Sequence, residues 1–327
     1  MAAEIENPQG AVVRRMNEDD WRTLIATISL RRCTPFIGAG VYWDRYSIRS
    51  QIALKWAKEF GYPLSDSNDL ASVAQFLYAK FDPSLVQNML IEELNQIDTP
   101  NYADANDPYT ILASLPLPIY ITTNYDDFIS EALNKKNRDA KTETCKWKKA
   151  LDDEKSYLLA GPAPTVATPS VFHLYGRADN LDSLVLSEDD YFQFLINVSR
   201  ELSRIPHQIQ KAMSKSLLLI GFRLTDWDFR VLFHLIASSF SLDPRTAHVA
   251  VQISPVGNEA GQDVIDRVQD YFDRYFRSRQ LNISISSLKT QDFAAELKTK
   301  WEAAQLKEKL EAEAKSKTKL EAANANR

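Results

Sequence analysis

Residues 33–40 of the chain, CTPFIGAG, form a short apolar run closed by two glycines, and this stretch decides the fold. Its length and apolar character are typical of a buried strand. Two glycines directly after a strand indicate a tight turn, and an apolar pattern with helical spacing resumes near Ser47 and runs to Phe60. Strand, turn and helix in this order are the repeating pattern of an α/β protein.

Further apolar segments continue the alternation of strand and helix. The clearest is SLLLIGF at residues 216–222, whose unbroken apolar character is typical of a strand covered on both faces. Six strands that alternate with helices predict an α/β fold with a doubly wound, Rossmann-like and mostly parallel sheet. The strands are expected at 33–37, 117–123, 171–176, 216–222, 247–253 and 281–286.

The segments between and after these strands divide the chain. We predict that residues 64–110 form a helical insertion between the first strand and the strand that ends in TTN. Residues 136–170 are expected to form a surface excursion, a segment of undetermined shape outside the sheet. From residue 291 the composition changes to Ala, Glu, Lys and Leu without a sustained heptad, which favours a charged helical tail or linker over a coiled coil. We therefore predict a domain at 1–290 and a tail at 291–327.

Composition restricts the possible functions. The 39 Lys and Arg residues against 44 Asp and Glu residues give a net charge of −5, which offers no general attraction to nucleic acid or to an anionic membrane. The two cysteines, Cys33 and Cys145, are too few for a disulfide framework or a four-thiolate zinc site. The amino-terminal residues lack the pattern of a signal peptide, so a cytoplasmic location is expected.

Four of the nine glycines follow predicted strands, at the sheet edge where doubly wound proteins bind ligands. Backbone N–H groups at Gly38-Ala39-Gly40 are suited to a pyrophosphate, helped by the dipole of the next helix. A tight turn without a ligand explains two glycines equally well. The other two glycines at this edge are Gly176 and Gly221.

Polar side chains lie at the ends of two other predicted strands. Asn124 and Asp126 come directly after residues 117–123, where each is either a site residue or a helix cap. His173 and Tyr175 share one face of the third strand if its period of two is kept. A lone histidine in a strand is more often a hydrogen-bonded structural residue than a catalytic base, so the role of His173 stays open from spacing alone.

Taken together, GAG at 38–40, TTNYD at 122–126, HLYG at 173–176 and IGFRLTDWDFR at 220–230 resemble the SIR2-like family. The resemblance covers roughly residues 30–290. It is closer to the bacterial SIR2-like NADases of antiviral defence than to zinc-containing sirtuin deacylases, since the two cysteines of this chain cannot form the two cysteine pairs of a zinc module.

The resemblance implies three catalytic residues. Asn124 matches the family's catalytic asparagine, which holds the nicotinamide ribose or the attacking water. Asp126 is the acidic residue of the nicotinamide pocket, and His173 matches the histidine that acts as general base. One departure concerns this last assignment: zinc-containing sirtuins have histidine directly before the glycine, where this chain has Tyr175.

The resemblance also implies an NAD-binding set. The turn at 38–40 would line the pyrophosphate, although Val41 replaces the serine that many relatives have there. For Asp226, helix capping competes with ligand contact. The complete expected set is Gly38, Ala39, Gly40, Thr123, Tyr175, Gly176, Gly221, Phe222 and Asp226.

The resemblance implies an NAD+ glycohydrolase that releases nicotinamide and ADP-ribose, with NAD as substrate and no metal. A water-using enzyme that depletes NAD would harm its host if always active. We therefore expect a gated effector that is a homo-oligomer or is controlled by an activating partner protein or a fused sensor or NTPase domain, without nucleic acid or membrane contact. The alternatives are a non-catalytic NAD or ADP-ribose sensor and, less favoured, a deacylase or ADP-ribosyltransferase.

Overall fold

The described part of the chain is dominated by one parallel sheet with helices on both faces. The structure is a computed structural model. It describes residues 4–6, 12–14, 16–42, 48–223, 227–239, 246–252, 267, 270–272, 274–276, 282–286 and 288–325.

Within these residues the sheet has seven strands, and every pair of neighbours is parallel. A separate antiparallel pair is formed by β1 (Glu4–Glu6) and β2 (Val12–Arg14). The sheet strands are β3 (Cys33–Ile37), β4 (Ile119–Thr122), β5 (Lys141–Thr144), β6 (Ser170–His173), β7 (Ser216–Phe222), β8 (Ala247–Gln252) and β9 (Asn282–Ser286). Their spatial order is β5-β6-β4-β3-β7-β8-β9.

Helices cover the sheet in two groups. One face packs on α2 (Ile48–Phe60), α3 (Leu70–Lys80), α4 (Pro83–Asn95), α8 (Glu188–Arg200), α9 (His207–Met213) and α10 (Trp227–Ser239). The other packs on α1 (Glu18–Ser29), α5 (Pro108–Ser114), α6 (Phe128–Lys135) and α11 (Thr290–Ala325), and the short α7 (Tyr157–Ala160) follows β5.

The strand residues alternate between these two clusters, as a period of two requires. Leu217 and Leu219 of β7 belong to the first cluster, while Leu218 and Ile220 belong to the second. All seven residues of β7 are buried. The prediction of an α/β doubly wound sheet, with 216–222 covered on both faces, is therefore confirmed.

The sheet has one strand more than the sequence predicts. Residues 141–144, KTET, form β5 at the end of the sheet, inside the segment predicted as a surface excursion. In the described residues β5 pairs along one edge only, with β6, and two of its four residues are partly exposed. A strand in this position does not need an apolar run, and KTET has none. The sequence analysis did not predict β5 because a polar strand at the edge of a sheet lacks the apolar pattern by which the other strands were recognised.

The first part of α11 packs against the rest of the domain. Phe293, Leu297 and Trp301 of α11 are buried, and the Phe293 ring stacks on Trp21 with centroids 5.2 Å apart. Beyond Trp301, Leu306 and Leu310 are exposed. The domain boundary at 290 stays a prediction. None of the helices in the described ranges is both long and apolar enough to cross a membrane.

The strand order positions a ligand crevice. From β3 the chain proceeds to β4 on one side, and it later returns to β7 on the other. Ligands of open α/β sheets bind beyond the carboxyl ends of the strands at such a switch point. Gly38, Asn124 and Gly221 all lie at this edge, at or just past the ends of β3, β4 and β7.

Candidate functional site

The glycine turn after β3 is pressed against the end of β7. The N–H of Gly38 donates to Ile220 O at 2.8 Å, and the N–H of Gly40 donates to Gly221 O at 3.0 Å. A Cβ at position 38 would lie 2.6 Å from Gly221 O. Close contact between the two strand ends therefore requires glycine at position 38. Two of the three N–H groups predicted for a pyrophosphate are already used within the protein.

Asn124 is fixed by three contacts at the end of β4. Its amide nitrogen donates to Gly38 O at 3.2 Å and to Tyr109 Oη at 3.3 Å, and its backbone N–H donates to Thr122 Oγ1 at 3.0 Å. The side chain is buried, and Oδ1 has no hydrogen-bond partner within the described residues. Asn124 thus holds the glycine turn on one side and keeps an unused acceptor on the other.

His173 lies directly beside Asn124. Its Nδ1 is 3.0 Å from the backbone oxygen of Asn124, so Nδ1 carries the proton and Nε2 is the basic atom. The ring is fully buried, and Nε2 has no hydrogen-bond partner within the described ranges. Burial lowers the pKa of His173 to about 4, partly offset by the Asn124 carbonyl and the charge of Asp127.

Asp126 lies two residues after Asn124, at the start of α6. Its Oδ1 accepts a hydrogen bond from Phe128 N–H at 3.2 Å, as in an ordinary helix start. Burial raises the pKa of this carboxyl to about 7, and the charge of Asp127 adds to the effect. The charge of Asp126 also raises the pKa of Tyr109, after burial. Asp126 therefore caps α6 and carries a carboxyl with a near-neutral pKa two residues from Asn124.

Tyr175 of the HLYG segment lies on a different side of the sheet from His173, contrary to what their spacing predicts. β6 ends at His173, and the Tyr175 ring packs edge-on against Tyr191 and Phe194 of α8, with centroids 5.0 and 5.3 Å away. His173 faces α6 instead, so the expectation that the two side chains share a face is wrong. β6 ends at His173, and the backbone turns at Gly176, whose φ is +89°.

The remaining predicted NAD-binding residues have structural partners of their own. A Cβ at Gly176 would lie 2.3 Å from Ser183 O, so this glycine permits the turn after β6. The Phe222 ring is buried against Phe36 and Phe229, and Thr123 N–H donates to Ile37 O at 3.0 Å. Ala39 is half-buried between Gly38 and Gly40, and Asp226 lies outside the described residues.

The structure adds residues that the sequence analysis did not select. Tyr109 of α5 contacts the Asn124 amide, and Asp127 lies 3.8 Å from His173 Nε2. Arg177 donates two hydrogen bonds to the Asp127 carboxylate, at 2.8 and 3.1 Å. The doubled Asp in NYDD was a visible signal, but its partner is 50 residues away and nothing local indicates the pairing.

The buried titratable groups predict how stability depends on pH. Burial lowers the pKa of His248 to about 4, as it does for His173, while the pKa of Asp126 is raised to about 7. Between pH 6.5 and 4, unfolding takes up two imidazole protons and releases one carboxyl proton. The net uptake is 2 − 1, or one proton, so the free energy of unfolding should fall by about 1.4 kcal/mol per pH unit as pH is lowered through this window.

Denaturant unfolding between pH 4.5 and 7.5 measures this slope. Asp126→Asn should roughly double it, because only the two histidines then titrate differently in the folded and unfolded chains. His248→Gln should nearly abolish it, whatever the variant's stability at neutral pH. Equal slopes in all three proteins would contradict this account of the buried groups.

Comparisons with known proteins indicate the family of the chain. A family model described as SIR2-like domain matches residues 118–282, about half of the chain. "NAD(+) hydrolase ThsA" of Bacillus cereus (strain MSX-D12) is 24% identical over 222 residues, which is 66% of this chain and 42% of that protein. The protein of the same name from Enterococcus faecium is 27% identical over 198 residues, 58% of this chain and 37% of that one.

The chain thus spans about two fifths of the length of the curated relatives it matches. Among solved structures, one described as "Structural Basis for the Mechanism and Regulation of Sir2 Enzymes" is similar, with a TM-score of 0.40 and 12% identity. The superposition covers 88% of this chain and 99% of that one.

Proposed function

The chain belongs to the SIR2-like domain family, and from this premise we propose that it hydrolyses NAD+ to nicotinamide and ADP-ribose. The reaction would take place at the carboxyl ends of β3, β4, β6 and β7. The names of the relatives support the activity, since each matched protein quoted above is called an NAD(+) hydrolase. We propose the same substrate and activity for this chain.

The observation that carries the proposal is a pair of unused acceptors. Asn124 Oδ1 and His173 Nε2 are buried without a hydrogen-bond partner in the described part of the chain, while every other polar atom of these two side chains is bonded. Leaving a buried acceptor unpaired costs about 1–3 kcal/mol. The two residues are in contact through His173 Nδ1 and the Asn124 backbone oxygen, and unpaired acceptors of this kind at a ligand-binding edge are suited to a water or a ribose hydroxyl.

The chemistry needs these residue types. The bond from ribose C1′ to the nicotinamide nitrogen breaks, and its electron pair leaves with nicotinamide, which departs uncharged. Water forms the new bond to C1′, and its proton passes to His173 Nε2 before reaching solvent. The low pKa of His173 keeps this nitrogen unprotonated at neutral pH. The Asn124 amide orients the water or ribose without changing its own protonation.

The glycine turn takes a narrower role than the sequence predicts. Since the N–H groups of Gly38 and Gly40 are used on β7, the Ala39 N–H and the start of α2 are left to face a pyrophosphate. The walls of the crevice would be shaped by Thr123, Tyr175, Gly176, Gly221 and Phe222. Asp126 would contact the nicotinamide amide, and Asp226 stays a prediction.

The biological setting is proposed from the family resemblance. It comprises antiviral defence by NAD depletion, a cytoplasmic location, self-assembly, and gating by a partner protein or a fused domain. Gating has a chemical reason, because water is always available as the acceptor. Activity that rises steeply with protein concentration would support control by assembly.

The direct test is to incubate the purified chain with NAD+ over a wide range of protein concentrations. We expect nicotinamide and ADP-ribose in equal amounts. Binding of NAD+ without nicotinamide release at any concentration would contradict hydrolysis and favour the sensor. Nicotinamide release that depends on an acyl-lysine peptide would favour the deacylase instead. Separation of the products by chromatography distinguishes the three outcomes.

A further inference from the structure

Asp127 is an N-terminal cap residue whose side chain does not cap. It occupies the N-cap position of α6, yet its carboxylate makes no hydrogen bond to the helix backbone. Aspartate at this position ordinarily accepts from the first free N–H groups. Here the neighbouring Asp126 accepts from Phe128 N–H, so the Asp127 carboxylate is released for other contacts.

Those contacts join the guanidinium of Arg177 to the ring of His173. Arg177 Nη2 donates to Asp127 Oδ2 at 2.8 Å and Arg177 Nε donates to Oδ1 at 3.1 Å. Ser130 Oγ adds a contact to the same Oδ1 at 3.3 Å. Two parallel bonds from one guanidinium hold a carboxylate in a defined orientation. Oδ1 is thereby held 3.8 Å from His173 Nε2.

The strands on both sides of β6 place uncharged side chains in register with His173. β4 and β5 present Thr122 and Thr144 beside it in register, and neither titrates. The charges that act on the ring come from Asp127, before α6, and Arg177, after β6. The Asp127 charge raises the pKa of His173 and the Arg177 charge lowers it, so the two residues have opposite effects.

We propose that Asp127 is a positioning residue for His173, stabilising the proton that Nε2 accepts during turnover, and that Arg177 fixes the carboxylate for this task. The inference rests on the proposed NAD+ hydrolysis. In the resting site Nε2 is neutral and faces a carboxylate without a bond. When Nε2 takes the proton from water, the imidazolium gains an ion pair with Oδ1 at the moment when the charge develops. The proton then leaves to solvent and the resting pair is restored.

The guanidinium of Arg177 also contacts a second carboxylate, on the side away from His173. It lines a cleft of about 790 Å³ together with Asp179, and its Nη1 is 3.0 Å from Asp179 Oδ2. Asp179 therefore contacts the same guanidinium without contacting His173. This makes Asp179→Asn the matched control, because it removes one carboxylate from Arg177 and leaves Asp127 in place.

The test measures kcat, KM and the pH profile of nicotinamide release. Asp127→Asn should lower kcat by about 10–30-fold with KM for NAD+ within about twofold, since the group acts after binding. The acid limb of its kcat profile should move to lower pH. In Arg177→Ala the acid limb should move to higher pH. Millimolar guanidinium ion, which enters through the cleft, should restore part of the kcat that this variant loses. Asp179→Asn should match the wild type.

If the ion pair were purely structural, the acid limbs of the kcat profiles of Asp127→Asn and Arg177→Ala would not shift in opposite directions. Wild-type kcat with an unshifted limb in Asp127→Asn, or an equal loss in Asp179→Asn, would overturn the proposal. NMR titration of the His173 imidazole gives a readout that does not need activity: its pKa should fall in Asp127→Asn and rise in Arg177→Ala. Unchanged values overturn the coupling, whereas shifted values in a chain that releases no nicotinamide reject the hydrolysis alone.

Discussion

Asn124→Ala is expected to lower kcat/KM for nicotinamide release by about 10²–10³-fold, the usual effect of removing one preorganised polar group from a reacting centre. The variant loses the unused Oδ1 acceptor in the crevice. It also loses the amide that ties the site to Gly38 O and Tyr109 Oη. Initial rates of nicotinamide release from NAD+ measure the effect, with thermal unfolding recorded in parallel.

Two further variants separate chemistry from folding. Asn197→Ala is the matched control, because it removes an asparagine amide that donates to a backbone oxygen, Trp147 O at 3.0 Å, away from the crevice. It should keep wild-type rates. Asn124→Asp keeps the shape but replaces the amide donor by a carboxylate facing Gly38 O, so its rate should fall with the alanine variant. An Asn124→Ala protein that folds normally and retains more than about a tenth of the wild-type rate would contradict the assigned role.

Much of the sheet could be predicted because its strands are apolar. β3 and β7 are continuous buried runs whose burial on both faces is written in the residue types themselves. β5 could not be found this way, since KTET is polar and becomes a strand only by pairing with β6. Edge strands depend on a partner that is distant in sequence, so local composition does not reveal them.

The site could be predicted in part for a related reason. Each candidate residue follows a strand, and parallel strands bring their carboxyl ends to one edge, so Asn124, His173 and Gly38 were expected to meet. The direction in which a side chain points depends on where its strand ends. Because β6 stops at His173, Tyr175 turns to the α8 face, which the period of two does not anticipate.

The glycines illustrate a second limit. A glycine pair after a strand is compatible with ligand contact and with close packing of backbones, and sequence alone left both possibilities open. The structure shows the packing explicitly, since Gly38 and Gly221 approach each other too closely for a Cβ on either. The same contact sets the position of Gly38 O, to which the Asn124 amide donates. Packing of the two strand ends and geometry of the candidate site are therefore linked.

Gly221→Ala should consequently reduce both stability and activity. Its φ is +78°, and a Cβ would lie 2.8 Å from Gly38 O and 2.9 Å from Val41 N. The left-handed conformation costs about 1–2 kcal/mol for alanine, and the steric overlap adds about 1–3 kcal/mol, so the free energy of unfolding should fall by about 2–5 kcal/mol. Displacing the glycine turn by about 1 Å should lower nicotinamide release by about 10²-fold.

Two other glycines of the chain separate these causes. Gly61 has a φ of +68° with nothing within 4 Å of its Cβ position, so Gly61→Ala carries the conformational cost alone, about 1–2 kcal/mol, and should leave activity unchanged. Gly38→Ala carries the steric cost alone, with its Cβ 2.6 Å from Gly221 O. It should lose activity as Gly221→Ala does. Denaturant unfolding and NAD+ turnover of the three variants measure both quantities. If Gly221→Ala behaved like Gly61→Ala in both assays, the contact between the ends of β3 and β7 would not be what holds the site in place.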